Sequence, residues 1–206
     1  MHGVPVTTLW VLGESGLARE MSRLARLLDP LALRWDAIRQ AGAALEDQLF
    51  ELGGEAVMGM GTPRIRGRVA ERLAALDDDR WPMLIHPRAD VDPATTLGCG
   101  TVVASGAVVS TDAVLQAHTL INYNATVGHD VYVGSCCVVN PGAALSGGVV
   151  LEAEVLVGAR AVVLEGRRVG AGARVGAGAV VVDDVEPGTT VVGIPARPLV
   201  RQEFAS

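Results

Sequence analysis

From Ile85 onward, one aliphatic residue recurs at every sixth position of the chain. The series runs to Val181 without an insertion, and all seventeen of its positions hold Ile, Leu or Val. A helix buries residues at spacings of three and four, and an ordinary strand buries every second residue. A strict period of six fits neither element, and a fixed period is typical of repeat architectures. The pattern therefore predicts a coil of repeated short strands.

Two other places in each six-residue repeat support this interpretation. The residue four places after the aliphatic one is nearly always small, as at Ala107 and Ala143. The residue directly after the aliphatic one is often glycine, as at Gly128 and Gly158. We expect these glycines to make the bends. Each repeat then forms one flat face and one corner, and three repeats close a triangular coil. The aliphatic side chains point inward, and successive coils pair as parallel strands about 4.8 Å apart.

Residues 1–84 lack the six-residue period and show a different order of elements. The pattern predicts strands at 7–12, 33–36 and 56–60 and helices at 17–28 and 64–76. Alternation of strand, glycine turn, helix and strand is typical of a small α/β domain of the Rossmann-like βαβ type. We therefore predict two domains, an α/β domain at 1–84 and a β-helix with a C-terminal tail at 85–206.

The sequence Gly13-Glu14-Ser15-Gly16 separates the first strand from the first helix. A glycine turn before a helix presents backbone N–H groups to a phosphate, and an acidic residue about twenty positions later can reach a ribose. Asp36 stands at that distance. The turn is shorter than the full dinucleotide-binding fingerprint, so a tight turn that simply requires glycine is an equally good explanation of these residues alone.

Charge and cysteine content exclude several classes of protein. A net charge of −6 argues against nucleic acid or an anionic membrane surface as a partner. The uncharged stretch 93–111 is too rich in Gly, Ser and Thr for a membrane span, and the N-terminus lacks the basic segment of a signal peptide. Three cysteines make no disulfide framework, and Cys99 and Cys136 lie two coils apart, beyond bonding distance. We expect reduced cysteines and a cytoplasmic protein.

Several short motifs occur in a specific order along nearly the whole chain. They are the turn at 13–16, Gly61 with Arg66, Leu-Ile-His-Pro at 84–87, Ile121-Asn122, His129-Asp130 and Gly-Ile-Pro-Ala-Arg at 193–197. This arrangement resembles the hexapeptide-repeat acyltransferases, in particular the sialic acid O-acetyltransferase and UDP-4-amino-sugar N-acetyltransferase group. The resemblance implies a left-handed β-helix, a homotrimer, acetyl-CoA as the acyl donor, and a nucleotide-linked sugar bound by the first domain.

The resemblance also implies roles for individual residues. His129 is the expected general base, since its place in the repeat points outward, and Asp130 is expected to orient its imidazole. Asn122, which should stack below Asn140 of the next coil, either lines the site or caps the turn. The residues expected at the substrate are Gly13, Glu14, Ser15, Gly16, Asp36, Gly61 and Asn122. Those expected at the coenzyme are Gly147, Ala159 and Ala177.

Four functions are compatible with these motifs to different degrees. The leading hypothesis is N-acetylation of a nucleotide-linked amino sugar, and its close rival is O-acetylation of sialic acid or another sugar hydroxyl, because one base serves either nucleophile. A non-catalytic trimeric scaffold is the third. A metal-dependent hydratase is disfavoured, because His118 and His129 are eleven positions apart and do not match the spacing of its histidine ligands. We expect no metal.

Overall fold

The computed structural model describes residues 9–13, 15–28, 37–38 and 54–199. The N-terminal part contains a parallel three-stranded sheet in the order β2-β1-β3. Its elements are β1 (Leu9–Leu12), α1 (Gly16–Leu28), β2 (Ala37–Ile38), β3 (Glu55–Met58), α2 (Pro63–Arg72) and a 3-10 turn at Asp78–Arg80.

The predicted α/β order of the N-terminal part is confirmed, with shifted boundaries. The strand predicted at 33–36 lies outside the described residues, and β2 occupies the two positions directly after Asp36. The helix predicted to reach residue 76 ends at Arg72, because Leu73 has a ψ of 18° and no longer continues the helix. Leu73 and Leu76 are nevertheless buried, so the apolar pattern extends past the end of the helix into the turn.

From Leu84 onward, two-residue strands recur every six residues, as the period predicts. They are β4 (Leu84–Ile85), β5 (Asp90–Val91), β6 (Thr96–Leu97), β7 (Val102–Val103), β8 (Val108–Val109), β9 (Val114–Leu115), β10 (Leu120–Ile121), β11 (Thr126–Val127), β12 (Tyr132–Val133), β13 (Val138–Val139), β14 (Ala144–Leu145), β15 (Val150–Leu151), β16 (Leu156–Val157), β17 (Val162–Val163), β18 (Arg168–Val169), β19 (Arg174–Val175) and β20 (Val180–Val181). Two strands outside this period follow, β21 (Thr190–Val192) and β22 (Arg197–Pro198).

These strands form the three faces of a parallel β-helix. Face 1 contains β4, β7, β10, β13, β16, β19 and β21, with β22 added antiparallel at the end. Face 2 contains every third strand from β5 to β20, and face 3 every third strand from β6 to β18. Each strand pairs in register with those one coil before and after it, so Ile121 lies between Val103 and Val139.

Three edges join the faces of the β-helix. Edge A follows face 1 and includes 122–125 and 140–143. Edge B follows face 2 and includes 128–131 and 146–149. Edge C follows face 3 and includes 116–119 and 134–137. In a triangular cross-section, edge B therefore lies opposite face 1.

The six-residue aliphatic series forms the core of the β-helix. Its members from Val103 to Val181 are at most 1% exposed, whereas those of the first coil are half-buried and pack against the core from its end. From Thr101 onward, the small residues four places later are buried beside them. Arg167 is the exception, because its side chain is only half-buried and its Nε donates to the carbonyl of Glu165 at 3.2 Å.

The glycines after the aliphatic positions serve a purpose other than the predicted bends. The left-handed residue of a corner lies two places later, as at His118 with a φ of 60° and Asp130 with a φ of 56°. A Cβ on Gly128 would instead lie 2.8 Å from the backbone nitrogen of Gly147 in the next coil. Glycine is thus required there because adjacent coils approach too closely for a side chain. That part of the prediction was wrong.

The N-terminal sheet and α1 cover the first four coils of face 1. Met21 and Leu24 of α1 belong to one buried cluster with the outward residues of β4, β7, β10 and β13. The next two outward residues on this face are Leu156 and Arg174, which are half-buried and exposed. Among the described residues, no helix is long and apolar enough to cross a membrane. Cys99, Cys136 and Cys137 are all free, as predicted.

Candidate active site

His129 and Asp130 stand on edge B, directly after β11. Their side chains are 59% and 67% exposed, and His129 Nδ1 lies 2.7 Å from Asp130 Oδ2. Since an ionised carboxylate can only accept, Nδ1 carries the proton of this hydrogen bond and Nε2 keeps its lone pair. The hydrogen bond to Asp130 is the main cause that raises the pKa of His129, and the negative charges of Asp130 and Glu165 add to it.

Gly147 lies one coil beyond His129 on the same edge. A Cβ on Gly147 would lie 2.5 Å from Nε2 and 2.6 Å from Cε1 of the imidazole. The backbone continues past the ring, since the N–H of Gly148 donates to the carbonyl of His129 at 2.9 Å. The lack of a side chain at Gly147 therefore leaves room for the imidazole and for a ligand beside it.

The glycine turn lies at the carboxyl edge of the small sheet, where open α/β sheets bind their ligands. Gly13 follows β1 with a φ of 121°. The Ser15 hydroxyl donates to the carbonyl of Gly59 at 2.8 Å, and the N–H of Gly59 donates to the carbonyl of Leu12 at 2.8 Å. These bonds bring Gly13, Ser15 and Gly16 beside the loop that contains Gly61. Glu14 and Asp36 lie outside the described residues.

The remaining predicted residues lie on edge A. Asn122 is half-buried, and its Oδ1 accepts a hydrogen bond from the backbone N–H of Tyr123 at 2.8 Å. Ala159 and Ala177 follow on the same edge, both exposed. The residues predicted for one coenzyme site are therefore divided between edge A and edge B, and the sheet with the glycine turn covers face 1, opposite His129. One chain does not bring these groups together.

Tyr123 was not predicted and lines a cavity of about 280 Å³ between α1 and edge A, with Glu20, Arg23 and His86. Burial raises the pKa of the Tyr123 hydroxyl, and the neighbouring Glu20 carboxylate raises it further by its charge and by a hydrogen bond. A signal for this residue existed in the sequence, because Tyr123 has the same place in its repeat as His129. Within the described ranges, no cluster of three or more His, Cys, Asp or Glu side chains could hold a metal ion.

Comparison with known proteins gives a consistent result. No protein-family model and no curated protein matches the sequence, but solved structures match along nearly its whole length. The acetyltransferase domain of PglB from Neisseria gonorrhoeae is 33% identical, with a TM-score of 0.83, and the match covers 93% of this chain and 99% of that one.

Two further structures resemble the chain. PerB from Caulobacter crescentus, solved with CoA and GDP-perosamine, is 27% identical with a TM-score of 0.83, and the match covers 95% of this chain and 98% of that one. WeeI from Acinetobacter baumannii, at 22% identity and a TM-score of 0.81 over 94% of this chain and 100% of its own, shares the fold. The chain belongs to the hexapeptide-repeat β-helix acyltransferases that act on amino sugars.

Proposed function

We propose that this protein transfers an acetyl group from acetyl-CoA to the amino group of a nucleotide-linked amino sugar. The observation that carries the proposal is the exposed imidazole of His129, with Nδ1 held by Asp130 and Nε2 beside Gly147 without a partner among the described residues. The related PglB domain has been solved with acetyl coenzyme A, and PerB with CoA and GDP-perosamine. The nucleotide part of the substrate is proposed to bind at the glycine turn of the N-terminal domain.

His129 acts as the general base in the proposed reaction. The sugar amine attacks the thioester carbonyl carbon, a C–N bond forms, and Nε2 accepts the proton that the amine loses. The tetrahedral intermediate then collapses, the C–S bond breaks, and the CoA thiolate leaves and recovers that proton from the imidazolium. Asp130 fixes the tautomer and stabilises the imidazolium charge while it exists. A thioester is reactive enough that neither a metal nor a covalent enzyme intermediate is needed.

The negative charge on the intermediate requires a hydrogen-bond donor. The N–H of Gly147 is suited to this role, because it donates to no acceptor in the part of the chain that the structure describes. This N–H also lies close to the imidazole, because a Cβ on the same residue would be 2.5 Å from Nε2 of His129. We assign the coenzyme thioester to this place, with the pantetheine arm along Ala159 and Ala177 of a neighbouring chain.

A homotrimer would join the two groups of residues that one chain keeps apart. Face 2 separates edge A from edge B, and its outward residues after Asp90 are uncharged and mostly apolar: Val108, Thr126, Ala144, Val162 and Val180. Three chains packed on face 2 around a threefold axis bury this surface. Edge A of one chain then faces edge B of its neighbour at the same height, so Asn122 and Tyr123 meet the neighbour's catalytic edge.

The proposal is tested by CoA release from acetyl-CoA with UDP- and GDP-linked amino sugars. Matched controls are the same nucleotide sugars with a hydroxyl in place of the amine, and free sialic acid. We expect release with an amino sugar and little with its hydroxyl counterpart, and His129→Ala should abolish most of it. Release with sialic acid or hydroxyl sugars alone would indicate the O-acetyltransferase, and no release with any amine would refute the proposal. The cytoplasm is the proposed compartment, since acetyl-CoA and nucleotide sugars are available there.

A further inference from the structure

Arg66 of α2 is the largest fully buried side chain among the described residues, with 0% of its surface exposed. No carboxylate in the described part of the chain pairs with it. Burial lowers its pKa to about 10, so the guanidinium stays charged at neutral pH. A buried charge without a counter-ion is costly and needs close hydrogen-bond partners. The identity of those partners indicates what the residue does.

Three backbone carbonyls accept hydrogen bonds from Arg66. Nη1 donates to Met60 at 2.9 Å and to Met58 at 3.2 Å, and Nε donates to His118 at 2.9 Å. Met58 ends β3 and Met60 belongs to the loop that follows it, whereas His118 lies on edge C of the β-helix. One side chain thus holds the loop at the carboxyl edge of the small sheet and attaches this loop to the β-helix.

The bond to Met60 has a consequence for Gly61. A trans peptide is planar, and its C=O and N–H point in opposite directions. Because the Met60 carbonyl turns toward the buried guanidinium, the N–H of Gly61 points away from it. Gly61 is exposed, and within the described ranges its N–H donates to no acceptor. The neighbouring Gly59 is already engaged, since its N–H and C=O bond to Leu12 and Ser15.

We propose that Arg66 is a positioning residue for the nucleotide-sugar site. It keeps the Gly61 N–H directed out of the protein at the glycine turn, where this group donates to a phosphate oxygen of the nucleotide sugar. The inference rests on the proposed function, because it assumes that a nucleotide-linked substrate binds there. In this proposal the diphosphate is the part of the substrate that the Gly61 N–H recognises. Arg66 attaches the loop with this N–H to the β-helix.

The geometry favours arginine over any other residue at this position. A planar guanidinium has five N–H donors at fixed angles and can serve three carbonyls at once, whereas a lysine ammonium would have to turn toward some of them and leave others. Nη2 is buried and has no partner among the described residues. An unsatisfied buried donor reduces stability, so stability alone does not account for Arg66.

Two sets of variants test this inference. The first is Arg66→Lys, with Arg68→Lys as its matched control, since Arg68 is an exposed arginine of the same helix. We expect Arg66→Lys to weaken calorimetric binding of UDP or GDP and to raise the KM of the nucleotide sugar, each about tenfold, as for the loss of one hydrogen bond to a charged group. The KM of acetyl-CoA should change less than twofold, and amide hydrogen exchange over residues 58–62 should become faster.

The second set leaves Arg66 in place and removes the donor. Gly61→Pro lacks the N–H, whereas Gly61→Ala keeps it, and an added Cβ there meets only Leu17 at 3.6 Å. Only the proline variant should lose diphosphate binding, with thermal melts checking that both variants fold. Unchanged diphosphate affinity in Arg66→Lys or Gly61→Pro overturns the inference, as does wild-type protein that binds no diphosphate. Wild-type protein that binds diphosphate but transfers no acetyl group refutes the proposed function alone.

Discussion

Gly147→Ala should reduce acetyl transfer without reducing stability. The new Cβ would lie 2.5 Å from Nε2, 2.6 Å from Cε1 and 3.2 Å from Cδ2 of His129, whereas non-bonded carbon contacts are about 3.5–4 Å. The imidazole must therefore shift by about 1 Å or turn away. It can do so at little cost because its side chain is 59% exposed. The backbone also accepts alanine, since Gly147 is not among the residues with positive φ.

A displacement of this size has a large effect on a reaction that depends on alignment. A misplacement of about 1 Å can cost about a hundredfold in rate, and we expect that loss in kcat. The stability should change by no more than about 0.5 kcal/mol, as for other surface substitutions. CoA release measured with a thiol reagent at saturating substrates gives kcat, and urea unfolding gives the stability.

A double-variant cycle identifies the cause of the loss. If Gly147→Ala acts through the imidazole, adding it to His129→Ala should reduce the rate no further, because the displaced group is already absent. An unchanged kcat in Gly147→Ala would show that the imidazole keeps its productive position. Independent losses that multiply in the double variant would show that Gly147 acts on the thioester rather than on His129.

Four other predictions follow from the structure. Gly128→Ala should destabilise the protein by about 1–3 kcal/mol in urea unfolding, because its Cβ would meet backbone of the next coil. Asp130→Asn should move the acid limb of the kcat/KM profile to lower pH, since Asp130 raises the pKa of His129. Burial lowers the pKa of His118 to about 4. As the pH falls, the unfolded chain therefore binds a proton at His118 before the folded protein does, and about 3 kcal/mol of stability should be lost between pH 6.5 and 4. Val162→Glu on face 2 should give monomers in light scattering.

Each of these predictions has an outcome that contradicts it. Unchanged unfolding of Gly128→Ala would mean that the coils can separate locally. A pH profile of Asp130→Asn that keeps its acid limb would assign that limb to another group, such as the sugar amine. A His118→Gln variant should lose the acid-dependent part of the stability, and an identical pH dependence would exclude His118 as its source. A trimeric Val162→Glu protein, or a monomeric wild type, would argue against packing through face 2.

The β-helix could be predicted from the sequence because its burial is strictly periodic. Ile121 is buried because it has the same place in its repeat as Val103 and Val139. The repeat pattern alone is enough to predict this burial. The sequence also indicates that the site is divided between two edges. Residues share an edge when their numbers differ by a multiple of 18, and His129 and Ala159 differ by 30. The outward direction of His129 follows from the same register.

Features that depend on contacts between distant residues could not be predicted. The register places Gly147 one coil beyond His129, but it does not show that a Cβ on Gly128 would meet the backbone of the next coil. Arg66 lies in an amphipathic helix where an arginine is expected to face solvent, and only the packing of α2 on the β-helix shows that it is buried. The contact of Tyr123 with Glu20 likewise joins α1 to edge A of the β-helix, and no local pattern specifies how these two elements are placed.

The most direct test of His129 as the general base compares CoA release by wild-type protein and His129→Ala with one nucleotide-linked amino sugar at saturating acetyl-CoA. With His129 as the base, turnover requires the amine and falls on the order of a hundredfold or more in the variant. Thermal unfolding should be unchanged, because the imidazole is exposed. Equal turnover by the two proteins would show that His129 is not the base.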